Sequence, residues 1–346
     1  RLHDGDDRDF YELSELLTST VTWRKAHEYA RIVKRWSDQR AAELAISKLG
    51  GSFGTDGQFD DALEEAIQEL GEIQAGDDFA SWEIRTLADA YAPRDPVTYA
   101  VEGLFAQPSL SVVYGAPGTF KTLLLTELAL CVAAGKPWLE PLPNTSDRTA
   151  RATTLMPTLW LDFDNGTRRM DERVEALARA QDLDPTAVPF YYACMPTPWL
   201  DASSYTSTRS LARRIDDLAA GLVVVDNLGT ISGGADENST EMVQVMGNLR
   251  RCAEETGAAV VVIHHQRKSS GSGRPGDALR GHSSIEAALD LALHVERDSG
   301  SEVVTISSTK SRGADVRPFG ALWSYEHKAE SDGELAWARF WGQLVD

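Results

Sequence analysis

The stretch that decides the fold runs Leu110-Ser-Val-Val-Tyr-Gly115-Ala-Pro-Gly118-Thr-Phe-Lys121-Thr122, an apolar segment leading into a turn, a lysine and a hydroxyl. In such an arrangement, the loop and the first turn of the helix point backbone N–H groups at phosphate oxygens. The lysine adds positive charge, and the hydroxyl can hold Mg²⁺. The residues from about Lys121 to Ala134 are apolar enough to pack as a helix on a sheet. The stretch therefore predicts a phosphate-binding loop made of Gly115, Ala116, Pro117, Gly118, Thr119, Phe120, Lys121 and Thr122.

One position of this loop departs from the usual pattern G-x-x-x-x-G-K-[ST]. Phe120 stands where a glycine is expected before the lysine. We expect Gly118 to supply the unusual backbone conformation instead, because glycine adopts positive φ without steric cost. A match of this length can arise by chance, and it is the flanking strand and helix that favour a nucleotide-binding loop over a structural turn.

The composition indicates a globular protein without a membrane span. Of the 346 residues 42% are hydrophobic, and no apolar run approaches the length of about 18 residues that a span needs. Three widely separated cysteines, Cys131, Cys194 and Cys252, lack metal-ligand spacing. We therefore expect reduced core thiols in a cytoplasmic protein. The chain opens at Arg1 without Met or a signal peptide, so we expect a fragment of a longer protein.

The charge distribution bears on nucleic-acid binding. A net charge of −19 argues against a broad surface that coats a polyanion. One glycine- and serine-rich segment is nevertheless strongly basic and is opposed by Asp277 alone. Mobile cationic loops of this kind suit backbone contacts to single strands. The candidate DNA-binding residues of this segment are Arg267, Lys268, Arg274 and Arg280.

The chain divides into two parts at a pair of prolines, Pro93 and Pro96. Residues 1–90 are predicted to form a helical N-terminal domain. This part either serves oligomerisation or partner contact, or is the end of a preceding domain. In residues 91–346 short β-rich runs alternate with helical stretches, which indicates an α/β fold with a mostly parallel sheet flanked by helices, ending in a β-hairpin. The predicted strands are 110–114, 158–163, 188–193, 222–226, 259–264, 303–307, 320–325 and 335–341.

Two of these strands end in carboxylates. Asp226 closes a buried apolar strand, and after a phosphate loop such an acid orders Mg²⁺-bound water, which we favour over a strand-end cap. Asp162 and Asp164 close another strand, where one carboxylate could act as general base. We prefer Asp164, because it lies at the very end of the strand.

Histidines and late basic residues complete the candidate site. His264 and His265 end a third strand, where ligands bind in doubly wound sheets. We favour a γ-phosphate sensor over metal ligation, because no further ligand has suitable spacing. Lys310 and Arg312 either keep the surface soluble or, in a ring ATPase, reach the phosphates of a neighbouring subunit.

Taken together, these blocks resemble the RecA-like hexameric helicase family, in particular plasmid replicative helicases of the RepA type and their phage relatives, and more distantly DnaB-type helicases. The resemblance covers about residues 97–320. It is carried by four blocks in order: the loop at 115–122, the Asp226 strand with Gly233-Gly-Ala-Asp-Glu-Asn-Ser239, His264-His265-x-x-Lys268 with Arg280-Gly281-x-Ser283-Ser284, and Lys310-x-Arg312-Gly313.

The resemblance implies a RecA-like P-loop ATPase core and a set of residue roles. Lys121 and Thr122 would bind ATP phosphate and Mg²⁺, and Asp226 would hold the metal-bound water. His265 would sense γ-phosphate. At the position of Asp164 the family usually has glutamate, so this chain departs from its relatives there. Lys310 and Arg312 would act in trans, on the phosphates bound by a neighbouring subunit.

The predicted function is an ATP-driven translocase on single-stranded DNA. A ring-forming, hexameric replicative helicase of a phage or mobile element is the leading interpretation, with a primase or primase–polymerase domain as a possible partner and no membrane contact. One alternative is a RecA-like recombination or repair ATPase that forms filaments. Another is a nucleotide-gated regulatory or defence ATPase with weak hydrolysis.

Overall fold

The computed structural model describes residues 23–52, 62–63, 65–67, 69–70, 85–145, 147–235, 240–265, 283–329 and 333–345. The chain separates into two compact units, Arg1–Arg94 and Asp95–Asp346. The described part of the first unit is largely helical, with α1 at Trp23–Gly51 and one turn of 3-10 helix at Asp89–Tyr91. What this unit contributes to the protein stays a prediction.

The second unit carries eleven strands and six helices in its described residues. The strands are β1 (Thr98–Val101), β2 (Phe105–Gln107), β3 (Ser109–Gly115), β4 (Thr158–Asp162), β5 (Phe190–Cys194), β6 (Leu222–Asp226), β7 (Ala259–His265), β8 (Leu291–Arg297), β9 (Val303–Ser311), β10 (Phe319–His327) and β11 (Leu335–Gln343). The helices are α2 (Lys121–Ala134), α3 (Thr167–Ala180), α4 (Tyr205–Leu218), α5 (Leu228–Ile231), α6 (Thr240–Thr256) and α7 (Ser283–Ala288).

Nine of the strands form one sheet in the order β11-β10-β9-β8-β3-β7-β6-β4-β5. The strands from β8 to β5 in this order are parallel, whereas β9, β10 and β11 continue the sheet antiparallel. The central strands β3 and β6 are buried along their whole length, as expected for parallel strands covered on both faces. The predicted RecA-like α/β core is thereby confirmed.

Two apolar layers cover the sheet. One face packs against α2 and α3, so that Leu128 and Leu177 share a cluster with Val224 of β6. The opposite face packs against α4 and α6, where Ile215 joins Val223. Because neighbouring residues of a strand point to opposite faces, the continuous apolar run of β6 serves both layers.

Three differences from the predicted elements stand out. Strand β8 was not predicted, because Leu291-Ala-Leu-His-Val is short, rich in residues that also favour helix, and bounded by charged residues. The β1–β2 hairpin was also missed, and β5 begins at Phe190 rather than at 188.

The predicted hairpin of β10 and β11 is confirmed, and it is part of the main sheet. The cysteines are free, with Cys194 only half-buried.

Strand direction places the candidate residues at two ends of the sheet. Gly115 pairs with His265, and Asp162 pairs with Asp226, at the carboxyl ends of four adjacent parallel strands. Strand β9 runs the other way, so Lys310 pairs with Ala292 near the start of β8. The candidate site thus lies where the parallel strands end, which we call the carboxyl edge of the sheet. Lys310 lies at the opposite edge, where these strands begin.

A buried carboxyl group ties helix α2 to the antiparallel strands. Glu127 is fully buried and accepts hydrogen bonds from the Phe340 backbone N–H at 3.0 Å and from Gln181 Nε2 at 3.1 Å. Burial raises the pKa of this carboxyl to about 8 from an ordinary value of 4.5. The folded chain therefore keeps a proton here at neutral pH.

This proton makes the stability of the fold depend on pH. Between pH 4.5 and about 8 the unfolded chain releases the proton and the folded chain keeps it, so stability falls as pH rises, by up to about 1.4 kcal/mol per pH unit. Glu127→Gln should remove this contribution, and its free energy of unfolding in urea should fall less steeply with pH than that of the wild type. Parallel pH profiles for the two proteins would contradict the assignment.

Candidate active site

The loop of residues 115–122 connects β3 to α2, as predicted. A side chain at Gly115 would overlap the backbone carbonyl oxygen of Val295 in β8, so the close approach of the two strands requires glycine. Gly118 has a φ of 81°, in agreement with the prediction. Phe120 also lies in the left-handed region, with a φ of 61°, immediately before α2. The expectation that Gly118 would substitute for the missing glycine is therefore incomplete, because Phe120 itself adopts the glycine conformation.

Tertiary contacts hold Phe120 in this conformation, which costs a residue with a side chain about 1 kcal/mol. Its ring lies 5.7 Å from the ring of Trp323 and 6.3 Å from that of Phe340. The guanidinium of Arg297 covers the ring at 3.7 Å and also donates to the Gly118 carbonyl oxygen at 3.0 Å. Arg297 thus braces the loop, a role that the sequence did not reveal because β8 was not predicted.

Lys121 brings a positive charge into the loop. Its side chain is 4% exposed, and its Nζ donates to the carbonyl oxygens of Gly115 at 3.0 Å and Ala116 at 2.8 Å. Burial lowers the pKa of the ammonium to about 8, while the negative charge of Asp226 opposes this shift. A buried ammonium surrounded by loop carbonyls is suited to an anionic ligand.

Thr122 and Asp226 meet beside the loop. The Thr122 hydroxyl donates to Asp226 Oδ2 at 2.7 Å. Asp226 is fully buried, and its Oδ1 has no hydrogen-bond partner among the residues that the structure describes. Burial raises the pKa of this carboxyl to about 6. An unpartnered carboxylate oxygen next to a hydroxyl fits a hard cation such as Mg²⁺.

The two carboxylates after β4 have different environments. Asp162 is fully buried, and its Oδ1 accepts from the backbone N–H groups of Asp164 at 2.9 Å and Asn165 at 2.6 Å. Asp162 therefore shapes the turn. The Asp164 side chain is 52% exposed and lies 3.8 Å from His265 Nε2. This geometry favours Asp164 as the base, and the assignment stays a prediction.

A pair of asparagine substitutions tests this choice. Asp164→Asn should lower kcat roughly 100-fold or more, as expected for loss of a general base, while leaving nucleotide affinity unchanged. Asp162→Asn should lower kcat less, because the amide oxygen can still accept the two backbone hydrogen bonds. Steady-state hydrolysis and nucleotide titration check both effects, and a larger decrease in the Asp162 variant would reverse the assignment.

His265 lies between the loop and Asp164. Burial lowers the pKa of its imidazole, and the nearby charge of Lys121 acts in the same direction while that of Asp164 opposes it, so the neutral form of the ring is favoured. Its Nδ1 has no hydrogen-bond partner among the described residues. Its neighbour in the chain, His264, is buried in the sheet. His265 is therefore the histidine that can reach a ligand in the loop.

Arg173 of α3 is a further candidate that the sequence did not single out. One of its terminal nitrogens is buried and has no hydrogen-bond partner among the described residues. Burial lowers the pKa of the guanidinium, whereas the charges of Asp162 and Asp226 oppose that shift. Its position in a helix rich in arginine gave no signal in the sequence, because only the packing of α3 brings it toward these carboxylates.

A cavity of about 1070 Å³ opens beside the loop, between α3 and the antiparallel strands. Its lining combines arginines with aromatic rings: Arg168, Arg169, Arg173, Arg297, Phe120, Trp323 and Tyr325 are among the lining residues. The rings of Trp323 and Tyr325 lie 5.8 Å apart and nearly parallel. The cavity thus offers arginine side chains and a stacked pair of rings beside the loop.

The structure does not bring Lys310 and Arg312 to the loop of their own chain. Lys310 Nζ donates to the Glu286 carbonyl oxygen, and Arg312 donates to the Ala287 carbonyl oxygen at 2.6 Å and lies 3.5 Å from Asp290 Oδ1. Both side chains thus hold the end of α7. The length of β8 separates them from the carboxyl edge by roughly 20 Å. Their action on a neighbouring subunit stays a prediction.

The predicted DNA-binding residues Arg267, Lys268, Arg274 and Arg280 lie outside the described residues. The described chain reaches His265 at the carboxyl edge and resumes with α7. In the part of the chain that the structure describes, no helix has the length and apolar character needed to span a membrane.

The fold and the loop define a P-loop ATPase of the RecA-like class. A family model described as an AAA domain matches residues 80–271, more than half of the chain, and the chain belongs to this family. The chain is also similar to the Gene 65 protein of Mycobacterium phage D29, with 26% identity over 216 residues, which cover 60% of this chain and 90% of that protein. The resemblance to phage helicase-like P-loop ATPases is thereby confirmed.

Proposed function

We propose that this P-loop ATPase is an ATP-driven translocase on single-stranded DNA that works as a ring, as hexameric replicative helicases do. The observation that carries the proposal is the division of the candidate residues between two ends of one sheet. The loop of residues 115–122 and three candidate side chains, Asp164, Asp226 and His265, lie at the carboxyl edge, whereas Arg312 lies at the opposite edge. Sites completed between subunits are a property of ring and filament ATPases.

The loop would hold the phosphates of ATP. Backbone N–H groups at the start of α2 and the ammonium of Lys121 would contact the phosphate oxygens. Thr122 and Asp226 would hold Mg²⁺, and the unpartnered Asp226 Oδ1 supports this assignment. When bound, the ion would offset phosphate charge during transfer.

The remaining side chains of the site would act on the attacking water and on the terminal phosphate. Asp164 would accept a proton from the water, and the neutral His265 would donate an N–H to a γ-phosphate oxygen. Arg173 would add a positive charge beside the phosphates. Its buried, unpartnered nitrogen supports this role, because it is free to donate a hydrogen bond to a ligand. Tyr325, which is exposed and packs against the buried Trp323, would stack on the nucleobase.

The basic segment after β7 would contact the DNA backbone, because it concentrates positive charge in an acidic chain. Changing both Arg274 and Arg280 to Ala should weaken single-strand binding about equally across sequences. The slope of log K against log salt should become shallower by roughly 0.7 for each phosphate that the variant no longer neutralises. Anisotropy titrations at several salt concentrations measure both effects. Arg280 carries a second interpretation, in which Arg280-Gly281 braces the segment or contacts a neighbouring subunit.

This double variant also tests the function as a whole. Basal ATP hydrolysis should survive, while its stimulation by single-stranded DNA should disappear. Unchanged affinity and an unchanged salt slope would favour the nucleotide-gated regulatory ATPase over the translocase. Electron micrographs with DNA and a non-hydrolysable nucleotide separate the remaining alternatives, since a closed ring supports the helicase and an open helix supports a filament-forming recombination ATPase.

A further inference from the structure

We propose that Trp199 is a stacking platform for a base of single-stranded DNA. The inference rests on the proposed function and adds to it an interaction that does not depend on charge. Trp199 lies in the loop between β5 and α4, and its side chain is 46% exposed. A large aromatic ring open to solvent is the group that base stacking requires.

The ring is fixed at its polar atom and against one aromatic neighbour. Trp199 Nε1 donates to the Thr230 carbonyl oxygen at 3.0 Å. The indole meets the ring of Phe163 edge to face, with 5.0 Å between ring centroids and an angle of 64°. Because its N–H is satisfied and its rotamer is held, the exposed surface of the indole is presented in one orientation, which lowers the entropic cost of binding.

The loop that carries the ring is itself fastened to the ATPase core. The Ala202 backbone N–H donates to the Ile231 carbonyl oxygen at 2.7 Å. From α6, Asn248 Nδ2 donates to the carbonyl oxygens of Ala202 and Ser203, each at 3.0 Å. Trp199 therefore lies in the segment that follows β5, and hydrogen bonds hold this segment against the one that follows β6. Both segments lie at the carboxyl edge.

The position of Trp199 also connects it to the nucleotide site. Phe163, which the indole contacts, directly precedes Asp164, and Asp164 lies 3.8 Å from His265. These contacts run along the carboxyl edge from the exposed indole to the candidate base and the end of β7. A base stacked on Trp199 would lie at the same edge as the nucleotide.

The surroundings of Trp199 favour a single base over a protein surface. Thr197 and Pro198 are exposed, and Asp201 and Ser203 are partly exposed and hydrogen-bonded to each other. Met195, four positions earlier in the chain, is an exposed apolar residue. Protein interfaces use apolar patches of several hundred Å², whereas a nucleobase needs only one ring face. With a net charge of −19, a non-ionic interaction also suits a chain that must bind a polyanion.

Oligonucleotides that lack bases test the inference. The full chain, with a non-hydrolysable ATP analogue and Mg²⁺, is titrated with a thymidine oligomer and with an abasic oligomer of equal length and charge. We expect the wild type to prefer the thymidine oligomer about 10-fold or more. Trp199→Ala should lose most of this preference, and Trp199→Phe should keep part of it. The salt slope should stay the same in all three proteins, because stacking releases no counterions.

A matched control is Tyr191→Ala, which removes another exposed aromatic side chain, 43% exposed, from strand β5 of the same sheet. This variant should keep the preference of the wild type. Thermal unfolding of each variant separates removal of the ring from disruption of the fold, and Trp199→Phe provides a conservative substitution for this purpose.

Two outcomes overturn the inference, and they are distinguishable. An unchanged preference for bases in Trp199→Ala overturns the stacking role alone, and a changed oligomer size in the same variant would then assign Trp199 to a subunit interface. Absence of any single-strand binding by the wild type overturns the proposed function and the stacking role with it.

Discussion

Lys121→Ala is expected to reduce ATP hydrolysis to the level of a protein-free control while leaving the fold intact. The ammonium of Lys121 is held against the carbonyl oxygens of Gly115 and Ala116, inside the loop that would receive the phosphates. The substitution removes the positive charge that the loop offers to the β- and γ-phosphates. Release of inorganic phosphate measures the activity, and circular dichroism monitors the fold.

A second lysine of the same region provides the control. Lys136 follows the other end of α2 and donates to the Gln181 carbonyl oxygen, away from the loop. Lys136→Ala should therefore hydrolyse ATP as the wild type does. Activity of the Lys121 variant close to that of the Lys136 variant would refute the phosphate-binding role of residues 115–122.

Arg312→Ala is the second change for which we expect a large effect. An arginine supplied by a neighbouring subunit can accelerate phosphoryl transfer on the order of 10³-fold. The variant should show a decrease in hydrolysis of this order although its own loop is intact. The substitution also removes the interactions of Arg312 with Ala287 and Asp290 at the end of α7. A decrease in activity alone does not separate the two roles.

Mixing two inactive variants separates them. In a mixture of Arg312→Ala and Lys121→Ala subunits, one kind of interface pairs an intact loop with an intact Arg312. Some activity should therefore return, with a maximum at intermediate mixing ratios. A local folding defect at α7 would not be repaired in this way. No recovery at any ratio, with co-assembly demonstrated by size, would count against a shared site.

The predictions that held were those encoded by contiguous residues. Helix α2 spans Lys121–Ala134 as expected, because the apolar run after the loop has no competing interpretation. The strands that end at Asp226 and His265 were also recognised, because long β-branched runs between turn residues have few alternatives. Their meeting at one edge followed from the parallel order of the sheet.

What the sequence could not predict depends on residues far apart in the chain. Phe120 keeps a left-handed conformation because Trp323 and Phe340, about two hundred positions later, pack against its ring. The different environments of Asp162 and Asp164 follow from hydrogen bonds within the turn, which strand alternation does not distinguish. Arg173 and Arg297 gain their positions only when α3 and β8 pack beside the loop.

If Arg312 completes the site of a neighbouring subunit, as proposed, the placement of the loop and Arg312 at opposite edges of one sheet restricts how subunits can associate. A protomer with an acceptor at one end and a donor at the other joins its neighbours head to tail, so each interface uses two different surfaces. A two-fold dimer would leave both halves of the site unmatched. The number of complete sites then equals the number of interfaces, so an isolated protomer has none. Specific activity should accordingly rise with protein concentration and level off once the assembly has closed.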